Sequence, residues 1–130
     1  MKDLVWILFR GDKATLLDVR ETLSLHFQVH DDEHGYSITA SEGTTFRVTA
    51  RDASRTVDWI AKQLEYRGTK VGAKRAKQFR TAGFDCCIQI AFEDLAAAGF
   101  RLHDAVHYVM RCTGGWAYFR WNQRFWTEPI

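Results

Sequence analysis

Residues 4–10 read Leu-Val-Trp-Ile-Leu-Phe-Arg, six apolar side chains in succession before the first charge. A strand with one wet side alternates apolar and polar residues, whereas a continuous run of strand formers has no wet side. The run therefore reads as a buried strand in the middle of a sheet. Gly11 breaks it, and Asp12 stands where a helix N-cap would, opening a helix that reaches Phe27. Leu16, Leu17, Val19, Leu23 and Phe27 supply its apolar stripe, and Asp18, Arg20 and Glu21 its polar face.

Two polar, glycine-ended segments follow, His30–Gly35 and Ala40–Thr44. Tyr36, Ile38 and Ala40, then Phe46, Val48 and Ala50, alternate with polar residues at period two. This pattern predicts an antiparallel meander, with Phe27–His30 as its first strand. Residues 52–67 carry Val57, Ile60, Ala61 and Leu64 at helical spacing. Gly68 and Gly72 each cost a helix roughly 1 kcal/mol relative to alanine, so 68–83 is expected to be a loop or a broken helix. Cys86, Ile88, Ile90 and Phe92 are in phase along a further strand. A last helix over 94–112 shows the stripe Leu102, Ala105, Val106, Val109 and Met110, closed by Gly114. Trp116–Trp121 is the closing strand, and Pro129 is expected to end pairing. The expected fold is α+β, one domain over 1–130. A single mixed or antiparallel sheet of five to six strands carries about three helices on one face, ferredoxin-like in outline.

Composition bounds the function. With 130 residues, 46% hydrophobic, 26% charged and one proline, the chain is globular in character. No run approaches the roughly 18 apolar residues of a membrane span. Asp3 interrupts the apolar onset and no small-residue cleavage site follows, so the start reads as a strand rather than a signal peptide, and the cytoplasm is the expected location. Cys86, Cys87 and Cys112 form no spaced framework, and no C-x-x-C occurs, so neither a disulfide scaffold nor a zinc site is expected. Net charge is only +2, yet Tyr66–Phe84 holds six basic residues and no acid: Arg67, Lys70, Lys74, Arg75, Lys77 and Arg80. The remainder carries 12 basic and 16 acidic residues. A basic patch on a mildly acidic body points to an acidic partner surface.

Several constellations could carry chemistry. His103 and His107 stand four apart on the last helix, the spacing at which two imidazoles can share a metal. Asp104 lies between them where zinc hydrolases have a glutamate, and solvent-exposed histidines are the expected state. His26, His30 and His34 with Asp31, Asp32 and Glu33 could form an acid–base pair or loose cation site, and read more simply as a polar hairpin turn. No nucleophile elbow, phosphate loop or dinucleotide fingerprint is present. Neither cofactor nor metal is expected, and a non-enzymatic role is favoured over a small enzyme with a His/Asp site.

The segment Gly115, Trp116, Ala117, Tyr118, Phe119, Arg120, Trp121 resembles the signature strand of RNA-recognition-motif domains, which exposes aromatics for base stacking. Gly114 stands where that signature has Lys or Arg, and Phe119 replaces an aliphatic residue. Alternation sends Ala117, Phe119 and Trp121 to one side and Trp116, Tyr118 and Arg120 to the other, so both faces are bulky. Size, build and the absence of catalytic motifs are similar to those of immunity proteins of bacterial toxin systems. That likeness implies a protein partner with an acidic surface, such as a toxin, met by the six basic residues and anchored by Trp116, Tyr118, Arg120 or Trp126. A nucleic-acid module using the same features is the alternative. No membrane partner is expected, and the chain would be a monomer or homodimer.

Overall fold

The computed structural model describes residues 3–128; Pro129 lies outside them. The elements are β1 (Asp3–Phe9), α1 (Leu16–Ser24), β2 (Gln28–Asp32), β3 (Gly35–Thr39), β4 (Thr45–Arg51), α2 (Ala53–Tyr66), α3 (Lys70–Thr81), β5 (Cys86–Phe92), α4 (Leu95–Thr113), β6 (Trp116–Phe119) and β7 (Arg124–Trp126). Seven strands form one sheet in the order β2-β3-β4-β5-β1-β6-β7. Every neighbouring pair is antiparallel. The class is the expected α+β, with one more strand and one more helix than the upper bounds of the sequence reading.

The apolar run is the centre of the sheet. β1 lies between β5 and β6, with Val5 opposite Ile90 on one side and Phe119 on the other. Val5, Ile7 and Phe9 enter a core with Val19 and Leu23 of α1 and Leu102, Val106 and Val109 of α4. Trp6 and Leu8 enter a second core with Ile60 and Leu64 of α2 and Ala76 and Phe79 of α3. Helices therefore cover both faces, which departs from the one-faced, ferredoxin-like arrangement. The reason is in β1 itself, because a strand apolar on both sides must be covered on both. Each fully buried large side chain contributes roughly 1.5–3 kcal/mol, a sizeable share of the roughly 5–15 kcal/mol net stability of a domain.

The added helix is α3. Gly68 does end α2, but Thr69 then caps a new helix, its hydroxyl accepting from the Gly72 amide at 2.9 Å. Gly72 is no breaker. A Cβ there would sit 2.4 Å from the Leu64 carbonyl oxygen, so glycine lets α3 cross α2 closely. At the other end of the chain, β7 is only three residues long and β6 stops at Phe119. The expected strand through Trp121 instead turns at 120–123 and comes back.

Helix starts follow cap chemistry. α1 begins at Leu16 because Thr15 and Asp18 form a capping box, with bonds of 3.1 and 2.8 Å. Asp12 is not the cap; it pairs with Arg10 at 2.8 Å. Leu16 and Leu17 are consequently exposed, while Val19 and Leu23 are buried. Asp52 and Asp94 cap α2 and α4. Within α4, Gly99 departs from helical geometry at φ 50° and ψ −139°, setting the first turn at an angle to the rest. Among the described residues, no helix is long and apolar enough to cross a membrane.

Candidate functional site

The six basic residues of 67–80 divide into two groups. Lys70, Lys74 and Lys77 are exposed on α3 at i, i+4 and i+7, and none has an ion-pair partner among the described residues. The arginines are engaged with the protein itself. Arg80 reaches Glu65 at 2.7 Å and Asp58 at 3.8 Å. Arg75 lies over the Phe125 ring at 4.5 Å. Arg67 donates to the Gln123 side chain in the 120–123 turn. Beside the lysines, Tyr66 is 91% and Val71 70% exposed. The α3 surface thus combines free cations with uncovered apolar side chains.

The expected aromatic anchors of β6 are not on that surface. Tyr118 is wholly buried, its ring nearly parallel to Trp6 at 6.0 Å and edge-on to Trp59 at 6.3 Å. Burial pushes its phenol pKa up, against the opposing pull of Arg67. Its hydroxyl is buried with no hydrogen-bond partner among the described residues. Trp116 is half-buried against Phe79 and Phe84, at 5.3 and 5.1 Å. The base-stacking platform suggested by the signature-like segment is therefore closed: α2 and α3 lie over it. Arg120 reaches Asp3 at 3.4 Å at the strand end.

Trp126 belongs to a different place, on the opposite face of the sheet. Its β7 position pairs with Ala117 and turns it toward α4. There it stacks on His107 at 5.0 Å and 24°, meets His103 at 5.3 Å, and touches Phe119 at 4.4 Å. His107 is half-buried rather than solvent-exposed, and burial together with Arg111 holds its imidazole below the usual pKa. Its Nε2 is buried without a hydrogen-bond partner among the described residues. His103 is exposed as expected. Among the described residues, no three His, Cys, Asp or Glu side chains are grouped to hold a metal.

Next to Trp126 opens a groove of about 470 Å³, lined by His103, Phe119, Trp121, Asn122 and Arg124 as well as Trp126, with Gly99 and Phe100 at its α4 side. Arg124 is absent from the sequence-derived candidates, and Trp121 enters them only as part of the signature-like strand. Asn122, a residue type that favours turns, is the local sign of the reversal. The Asn122 side chain accepts from the Arg124 amide at 3.0 Å, and Gln123 has φ 56°.

The remaining clusters are structural. Asp31 takes two hydrogen bonds from Arg20, at 2.9 and 2.6 Å. Asp32 is bound by Arg47, which with the His34 amide holds its pKa at about 2. His26 stacks on Tyr108 at 3.7 Å. Cys87 is buried and its thiol is pushed up to about 12, so it is no nucleophile. Comparison with protein-family models, with curated proteins and with solved structures gives no match to this chain.

Proposed function

We propose that this protein acts by binding a second protein through the outer face of α3, the partner presenting an acidic surface. The observation that carries the reading is the row Lys70, Lys74 and Lys77, exposed and without ion-pair partners among the described residues. Most of the arginines around them serve internal contacts. Unpaired cations steer an encounter, and adjacent apolar side chains such as Tyr66 and Val71 provide the area that holds it. The closed β6 platform favours a protein over a stacked single strand of nucleic acid. The specific form of this reading is neutralisation of a bacterial toxin by complex formation.

The test is co-expression with the product of the neighbouring gene, followed by size-exclusion chromatography. A complex that protects the cell from that product, and that the triple variant K70E/K74E/K77E loses, is the expected result. Tight, salt-sensitive binding of a mixed-sequence oligonucleotide, lost in the same variant, would replace the protein partner with nucleic acid.

A further inference from the structure

We propose that the groove between the 120–123 turn, β7 and α4 binds a small planar aromatic carboxylate. Its volume of about 470 Å³ falls within the roughly 300–1,000 Å³ of small-ligand sites. Its floor is Phe119, which is 2% exposed. Two indoles stand steeply on that floor, Trp121 at 5.2 Å and 77° and Trp126 at 4.4 Å and 63°. Both are held from behind. Trp121 also meets Phe92 at 5.4 Å, and Trp126 stacks on His107. The walls are therefore fixed before any ligand arrives, so little side-chain entropy is lost on binding. Phe100, 87% exposed beside the bent Gly99, adds an uncovered ring at the rim.

Charge selects the occupant. Arg124 and His103 line the groove and, among the described residues, no carboxylate does. The Arg124 guanidinium has no ion-pair partner among the described residues, unlike Arg20, Arg47, Arg80 and Arg101. An incoming anion breaks no existing pair, and a guanidinium takes a carboxylate through two parallel hydrogen bonds. The same arginine repels a cation, so these rings are not a cage for an ammonium group. A flat ring between the indoles with its carboxylate on Arg124 satisfies both halves of the lining.

The probe is 2-naphthoate, titrated against the full chain by calorimetry and tryptophan fluorescence. Saturable binding is expected, weakened about tenfold or more for uncharged 2-naphthamide and in R124Q, a loss typical of one charge-assisted contact. R124K retains part of it, and W121A abolishes it while circular dichroism shows the fold intact. K70E/K74E/K77E leaves naphthoate binding unchanged, which separates this site from the proposed protein-binding face of α3. Absence of saturable binding, equal binding of the amide, or an unaffected R124Q would overturn the assignment. Tighter binding of a short peptide ending in a tryptophan with a free carboxylate would overturn it in favour of a polypeptide terminus.

Discussion

The two faces of the sheet differ in size and in polarity. The face under α1 and α4 is the larger core: Val5, Ile7, Ile38, Val48, Ile88 and Ile90 meet Leu23, Leu102, Val106 and Val109, with Phe9, Phe27, Phe46, Phe92 and Phe119 packed among them. The face under α2 and α3 is smaller and takes polar groups into its layer. Trp6 donates to Gln89 at 3.0 Å, Arg51 lies over the Trp6 ring at 4.5 Å, and the Tyr118 hydroxyl has no partner among the described residues. Close packing of so many buried side chains gives a rigid core. Aromatic side chains with polar ends join a core to a surface, and it is this second layer that carries the free lysines. The larger face supplies most of the buried side chains, and the smaller one carries the lysine row.

Substitutions on each side test that contrast. The largest effect is expected from Phe9→Ala, in the larger core, at about 3–5 kcal/mol of unfolding free energy. Urea unfolding should register it as one cooperative loss. Gly72→Ala is expected to cost about 1–3 kcal/mol, because its methyl meets the Leu64 carbonyl. Hydrogen exchange should locate that cost in α3 and the end of α2, with β1 and β5 still protected. A cost spread evenly over the sheet would mean that the two layers are one unit. Tyr118→Phe deletes a hydroxyl with no partner among the described residues, so thermal melting should show a change within about 1 kcal/mol, neutral or stabilising. A loss of more than about 2 kcal/mol would show that the hydroxyl is bonded in solution.

The smallest effect concerns acid. Asp31, Asp32 and Glu42 all have pKa values lowered, chiefly by hydrogen bonds from Arg20, Arg47 and Arg101. A folded-state pKa below the unfolded one adds stability above the ordinary carboxylate range and loses it as pH falls. Stability should thus decline from about pH 4 toward pH 2. Asp32→Asn should flatten that decline in urea midpoints measured at pH 5, 3 and 2. The pairs are exposed, so the change is small.

The difference between the faces also explains what could be read from the sequence. The meander and the α4 stripe were legible because Ile38, Phe46, Val48, Leu102 and Val109 repeat at the period of their elements. α3 was not, because its buried stripe is Gly72, Ala76 and Phe79. Two of those three are small, and they lie among lysines and arginines. Their burial depends on how closely α2 approaches, which no local pattern encodes. The lysine row was visible, but which cations are free depends on carboxylates such as Asp58 and Glu65 in another helix. The groove was least legible of all. Arg124, Trp121 and His103 come from β7, a turn and α4, and only tertiary packing brings them together.

The place of β1 has a consequence for how the chain comes into being. β1 is made well before both of its partners, since its neighbours β5 and β6 begin at Cys86 and Trp116. At roughly 5–20 residues per second of synthesis, Leu-Val-Trp-Ile-Leu-Phe spends on the order of ten seconds with both edges bare. Such long-range pairing slows folding and leaves an apolar edge open to foreign strands. β1 therefore keeps one open edge until β5 has been made and the other until β6 has.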